Sequence, residues 1–287
     1  MRILITGGHG QLGQSLVRAL SAHDASALSH AELDVADARS VDRAFGDHRP
    51  RVAVHTAALT DTARCEREPD AARAINAAGT ENVARACARS GARLIAISTN
   101  EVFDGQKRAP YAESDVARAV NAYGQSKLEG ERLASAACPD TLIARTSWLY
   151  GDGGNNFVEK VRAAAQSGRK LSFVTDEIAS PTATADLAQA IRALIERSAP
   201  PGIYHLANEG AASRYDWARE ILRLTGLDVP IEAVTTEQLR AGGYAGPPKP
   251  AYSVLANARA RALGIALAPW RDALAAYFER ARVAADG

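Results

Sequence analysis

Only three cysteines occur in the 287 residues, Cys65, Cys87 and Cys138, and no two of them form a CxxC pair. An odd count cannot close entirely into intramolecular disulfides, so the expectation is reduced thiols in a cytoplasmic protein. Excess charge of one sign is also missing. Against 33 acidic side chains stand 34 Lys and Arg, a net charge of +1. Such a balance holds no positive surplus for a phosphate polymer, which argues against nucleic-acid and membrane-surface binding. Long hydrophobic runs are absent too. One of the longest, residues 52–59, is interrupted by His55 and Thr56 and falls far short of a bilayer. A first strand opening at Arg2 leaves no room for a signal peptide. No repeat is present, and alanine richness is the sole compositional bias. What is there suffices for a core: 47% hydrophobic residues at a mean hydropathy of −0.18, in one large domain or two modest ones.

Strand and helix patterns alternate through the first half. Arg2-Ile3-Leu4-Ile5-Thr6 reads as a short strand, then a glycine-rich turn, then a helix whose Leu12, Leu16, Val17 and Leu20 recur at helical spacing. Further strands are expected at 25–28, 51–55, 93–98 and 141–145, with helices at 41–45, about 70–90 and 123–134. This order implies a doubly wound α/β fold, a parallel sheet with both faces covered. After Tyr150 the composition shifts to a loop, Gly151-Asp152-Gly153-Gly154-Asn155-Asn156, and then to helices ending near 166 and spanning 183–198. A strand at 203–206 rejoins the sheet, and helical stretches follow at 215–224 and 256–263. The expected division is a dinucleotide-binding domain over 1–150 and a smaller α/β substrate domain over 151–287. Residues 183–207 return to the sheet, and the small domain lies over the carboxyl ends of the strands.

Gly7, Gly10 and Gly13 fall at GxxGxxG spacing between the first strand and an amphipathic helix. A glycine at the strand end permits a tight turn, a second lets backbone approach a pyrophosphate, and a third lets helix pack on strand, amides facing the anion. Strand, turn and helix together identify a dinucleotide site. An acidic side chain at the end of the second strand would mark NAD(H). Ser29-His30 stands there instead, with no carboxylate before Glu32, which favours NADP(H) while leaving NAD(H) open. Asp34 either faces the adenine or caps the next turn.

Tyr123 and Lys127 stand at i and i+4 on one helix face. A phenol with a pKa near about 10 is a poor acid or base at neutral pH, and a neighbouring ammonium favours its phenolate. Thr99, 24 residues upstream of Tyr123 at a strand end, offers a hydroxyl to the same carbonyl. Hydride at the carbonyl carbon and a proton on its oxygen would yield an alcohol. The histidines show no metal-ligand spacing such as HExxH.

These residues resemble the extended short-chain dehydrogenase/reductases, and in particular the dTDP-4-dehydrorhamnose reductase family. The resemblance rests on Gly10-Gln11-Leu12-Gly13, on Ser98-Thr99-Asn100-Glu101-Val102-Phe103-Asp104-Gly105 and on the run from Tyr123 to Glu131. Arg145-Thr146-Ser147-Trp148-Leu149-Tyr150, Gly154-Asn155-Asn156-Phe157, Ser180-Pro181-Thr182, Gly202-Ile203-Tyr204-His205-Leu206 and Lys249-Pro250 with Ser253-Val254-Leu255 extend it over nearly the whole chain. It implies a Rossmann domain with a C-terminal sugar-nucleotide domain and an NAD(P)H-dependent reduction of a 4-keto sugar, with dTDP-4-dehydro-L-rhamnose as the expected substrate. By position, Thr99, Tyr123 and Lys127 are the catalytic residues, with Lys127 lowering the pKa of Tyr123 and holding the nicotinamide ribose. Gly7, Gly10, Gln11, Leu12 and Gly13 cradle the pyrophosphate. Asp34 and Val35 lie beside adenine, and Ala57, Ala58 and Leu59 line the cofactor cleft. Trp148 packs on the sugar, Asn156 and Lys249 lie toward the nucleotide, and Asn100 and Glu101 touch the sugar.

Three departures stand out. The family's Asp-Tyr after Ser-Thr is Asn100-Glu101 here, its Tyr after Ala-Ala is Leu59, and its C-terminal Arg is Lys249, which cannot make the same bidentate fork to a phosphate. A different nucleotide-linked 4-keto sugar therefore stays open. So do an epimerase or dehydratase and a non-catalytic role like that of the regulatory subunit of methionine adenosyltransferase. Some members hold magnesium through glutamates; Gln14-Ser15 offers none, so no metal is carried over. The partner expected is a small-molecule nucleotide sugar, and the sequence is compatible with a homodimer.

Overall fold

The computed structural model describes residues 1–168 and 170–286. In chain order the main elements are β1 (Arg2–Thr6), α1 (Gln11–Ala19), β2 (Asp24–Leu28), α2 (Ala38–His48), β3 (Val52–His55), α3 (Gly79–Ser90), β4 (Arg93–Thr99), α4 (Ala122–Ala137) and β5 (Thr141–Thr146). There follow α5 (Phe157–Gln166), α6 (Thr184–Glu196), β6 (Gly202–His205), α7 (Arg214–Thr225) and α8 (Trp270–Asp286). Six strands form one parallel sheet in the order β6-β5-β4-β3-β1-β2. The order reverses beside β1, and the crevice opened there at the carboxyl ends of β1 and β3 is where such sheets bind ligands.

Alternation along the strands builds two cores. Ile3 and Ile5 face α1 and α6 with Leu16, Val54, Ile95, Leu187 and Ile191, while Leu4 faces the other side with Val41, Phe45, Val83, Leu94 and Ile143. Each fully buried aliphatic side chain stabilises the fold by about 1.5–3 kcal/mol. A third core, including Tyr150, Val158, Trp217, Ile221 and Leu274, lies beyond the strand ends. Val17, expected on the apolar face of α1, is exposed; the helix turns its Leu12, Leu16 and Ala19 inward instead.

Local chemistry sets the helix ends. Asp37 caps α2, Asn121 caps α4, and Ser213 with Asp216 forms a capping box on α7. Gly91 and Gly226, both at φ +68°, stop α3 and α7. The helix expected over 70–90 is broken. A short helix, Pro69–Ala72, passes into a π-helical turn, Arg73–Ala78, before α3 begins. The wider turn brings the backbone of Asn76 against α4, where a Cβ on Gly130 would lie 2.4 Å from the Asn76 carbonyl oxygen. Helix α8 has no counterpart among the sequence-based expectations, although Trp270, Ala273, Leu274, Tyr277 and Phe278 carry a clear helical period and are all buried. Among the described residues no helix is long and apolar enough to cross a membrane.

Candidate active site

The glycine turn connects β1 to α1. Gly7 adopts φ +64°, and a Cβ there would lie 2.9 Å from Ala57 backbone atoms. Gly10 caps α1 without a side-chain hydrogen bond, and no acidic side chain occupies the first turn. The leading amides, those of Gln11 and Leu12, thus lack an intrahelical acceptor and the positive end of the helix is uncompensated, a ready anion site. Gly13 points away from the cleft. A Cβ on it would lie 2.5 Å from the carbonyl oxygens of Gly7 and Gly8, so its absence is what lets α1 pack on the turn.

Beside the turn, a buried polar chain holds the segment after β3. Thr80 Oγ1 donates to the Asn76 carbonyl at 2.7 Å and so accepts from Nε2 of His55 at 3.0 Å. His55 Nδ1 is then the acceptor for Thr6 Oγ1 at 2.8 Å. Burial, with the charge of Lys127 behind it, pushes the His55 pKa down to about 3, which keeps the ring neutral. Asn76 secures Leu59 at both backbone atoms and donates to Ser126 Oγ at 3.0 Å. One asparagine in a π-helical turn thereby links the cleft floor to α4.

On α4, Tyr123 and Lys127 face the cleft one turn apart, across from Thr99 at the end of β4. The structure reverses one expectation. The Tyr123 phenol is raised above its ordinary value, by burial first and then by the Glu101 carboxylate, while a hydrogen bond from Thr99 pulls the other way. Lys127 is not among the groups that act on the phenol, and burial brings its own pKa down to about 8 against the opposing charge of Glu131. Its ammonium makes no hydrogen bond among the described residues. Glu131 is held by Arg145 at 2.6 and 2.9 Å and by Ser98 at 2.5 Å, a buried network under the strand ends.

Across the cleft the carboxylate of Glu101 receives Lys249 Nζ at 2.8 and 3.0 Å and the Asn121 amide at 2.7 Å. Lys249 therefore stands in an ion pair inside the cleft. Asn100 donates to Ser253 Oγ at 2.7 Å, which joins the threonine strand end to the C-terminal Ser-Val-Leu segment. Asn156 caps α5 and reaches Gln11 Oε1 at 3.1 Å. Trp148 sits at φ +44°, a strained backbone for a bulky residue, with the Arg214 guanidinium 3.6 Å from its ring centre. Asp34 accepts from Ala36 N at 3.0 Å in the turn before α2 and also lines the cleft. Glu32 folds back to bind the amide and hydroxyl of Ser29 at 2.8 and 2.7 Å, and both bonds hold its carboxyl below the usual range.

One cavity of about 930 Å³ is lined by Gly7, Gly10, Gln11, Leu12, Asp34, Val35, Ala57, Ala58, Leu59, Thr99, Asn100, Glu101, Tyr123, Lys127, Trp148, Asn156 and Lys249. Of the residues assigned a catalytic, cofactor or substrate role from the sequence, Gly13 alone is not on its wall. The family model described as the RmlD substrate binding domain matches residues 1–283. The chain belongs to the RmlD, or dTDP-4-dehydrorhamnose reductase, family. It is 41% identical to the spore coat polysaccharide biosynthesis protein SpsK of Bacillus subtilis over 99% of both chains. It is 39% identical to the dTDP-4-dehydrorhamnose reductase of Mycolicibacterium smegmatis, over 95% of this chain and 84% of that one. The crystal structure of dTDP-4-dehydrorhamnose reductase from Bacillus anthracis in complex with NADP superposes with a TM-score of 0.92 at 35% identity, covering 97% of this chain and 99% of that one.

Sequence reasoning passes over several residues of this RmlD-family cleft. Arg214 lines it without a motif to mark it, Thr146 lies within a quoted motif but is given no role there, and the exposed Arg64 also reaches it. Asn76 and His55 carried a readable signal, since each is a polar side chain within or just after an otherwise apolar run, Ala74 to Ala78 and Val52 to Val54.

Proposed function

We propose that this chain is an NAD(P)H-dependent reductase of the C4 keto group of a nucleotide-linked 4-keto-6-deoxy sugar, converting dTDP-4-dehydro-L-rhamnose to dTDP-L-rhamnose. The observation that carries this reading is the convergence of Thr99, Tyr123 and Lys127 in the cleft that also receives the uncompensated amides of α1. The cradle fits a dinucleotide: Gly7 occupies left-handed backbone, and a Cβ on Gly10 would crowd the Gly7 carbonyl at 3.2 Å. Gln11 and Leu12 would hold the pyrophosphate, Asp34 and Val35 the adenosine, and Ala57 to Leu59 the nicotinamide side. When bound, the cofactor supplies the hydride.

The residues of the chain supply the rest. Burial and Glu101 keep the Tyr123 phenol protonated, so it is loaded to donate to the carbonyl oxygen. Thr99, at the end of β4 on the wall of the same cleft, orients that oxygen. The Lys127 ammonium, one turn from the phenol and free of protein partners among the described residues, is available to a ribose hydroxyl. The test is NADPH and NADH oxidation with dTDP-4-dehydro-L-rhamnose, by wild type and Tyr123→Phe. Turnover is expected to fall by roughly a hundredfold in the variant with cofactor affinity retained. Near-normal turnover would remove Tyr123 from the mechanism.

One observation favours a second reading, a different 4-keto sugar. Glu101 and Lys249 place an ion pair beside the phenol where the resembling family has Tyr and Arg. Rates with dTDP-4-keto-6-deoxy-D-glucose alongside the rhamnose precursor separate the two.

A further inference from the structure

Two cations line the sugar side of the cleft, and their circumstances differ. Lys249 is spent: both oxygens of Glu101 hold its ammonium, and Glu101 is itself 9% exposed. Drawing Lys249 onto an anion would strand that carboxylate as an uncompensated buried charge. Arg214 is the reverse case. Its guanidinium lies 3.6 Å from the ring centre of Trp148, 5.1 Å from that of Phe157 and 5.7 Å from that of Trp217. Stacking uses the π face of a guanidinium and leaves its in-plane N–H groups free. The carboxylate within ion-pair reach is Glu177, at 3.9 Å from Nε, too long for a hydrogen bond. Arg214 thus makes no hydrogen bond among the described residues, yet its side chain is 22% exposed and has limited access to water. Five donors in a planar fork, short of both protein and solvent acceptors, match the oxygens of a phosphate.

We infer that Arg214, not Lys249, is the cation that takes the diphosphate of the nucleotide sugar. The inference rests on the nucleotide-sugar reading above. Glu177 keeps the guanidinium ionised without consuming its donors, and Glu101, Lys249, Tyr244 and Asp176 are the other ionisable groups whose charge acts on this corner. The aromatic stack fixes the plane of the fork, so that an arriving diphosphate meets oriented donors rather than a mobile chain.

The experiment is calorimetric titration of NADPH-loaded protein with dTDP and, separately, with thymidine. Wild type is expected to bind dTDP more tightly than thymidine. Arg214→Met should weaken dTDP by roughly 10- to 100-fold and leave thymidine unchanged. Arg214→Lys should recover part of the loss, which a purely structural stacking role would not produce. The double variant Glu101→Gln/Lys249→Met, which removes the ion pair without leaving a lone buried charge, should keep the preference for dTDP. Unchanged dTDP affinity in Arg214→Met, or its loss in the double variant alone, overturns the assignment. A wild-type protein that binds NADPH but does not distinguish dTDP from thymidine overturns the nucleotide-sugar reading, and this inference with it.

Discussion

A methyl group at Gly13 would lie 2.5 Å from the carbonyl oxygens of both Gly7 and Gly8, roughly 1 Å inside an ordinary contact of about 3.5 Å. Both obstacles are backbone, so relief requires α1 to lift off the turn. Overpacking of this kind costs about 1–3 kcal/mol, and the better helix propensity of alanine returns about 1 kcal/mol. Gly13→Ala should therefore be nearly neutral to about 2 kcal/mol less stable. Its effect on the cofactor should be larger. An approach displaced by that distance forfeits at least one charge-assisted hydrogen bond to the pyrophosphate, worth about 1.5–3 kcal/mol, or a 10- to 100-fold rise in Kd. The control is Gly46→Ala in α2, where the added carbon meets nothing within 4 Å. That variant should gain about 0.5–1 kcal/mol and leave Kd unaltered. NADPH fluorescence titration and urea unfolding of the two variants give both quantities. Wild-type NADPH affinity in Gly13→Ala would refute the claim that close packing at Gly13 places the amides of α1.

Lys127 titrates at about 8 because burial disfavours its charge, so kcat/KM should fall as the pH rises through about 8. An alkaline limb that persists unchanged in Lys127→Met would assign it to another group. His55 and His205 are both held down to about 3 by burial. Unfolded histidine takes up its proton near 6.5, and the folded chain does not until about 3, so stability must fall as the pH drops below 6.5. The loss is about 2 kcal/mol per histidine by pH 5. Urea midpoints at pH 7 and 5 measure it, and a slope equal to wild type in His55→Asn would contradict the assignment for His55. Glu131→Leu leaves the Arg145 guanidinium buried without its partner and should cost about 3–5 kcal/mol. A loss below about 1 kcal/mol would mean the Ser98–Glu131–Arg145 network bears little on stability.

Local rules account for what the sequence by itself determined. The turn from Gly7 to Gly13 is legible because φ +64° at Gly7 and the contacts of Gly13 exclude a side chain, so glycine marks them. Tyr123 and Lys127 are legible because four residues along a helix is one turn, and alternating strands and helices imply a parallel sheet covered on both faces. Even α8 was within reach, through the period of its five buried side chains. Tertiary structure decided whatever depends on distant charges and on solvent exclusion. Glu101 and Lys249 are 148 positions apart, and no periodicity joins them. The i,i+4 rule says that a lysine is near the phenol, but the phenol pKa is set by burial and by Glu101, which act in the opposite sense. Arg214 gains its place only when the rings of Trp148, Phe157 and Trp217 assemble around it. Spacing along a chain fixes which groups are neighbours within one element. The water and charge around those groups are set by elements from elsewhere in the sequence, and in this cleft they decide which acid is loaded and which cation is free.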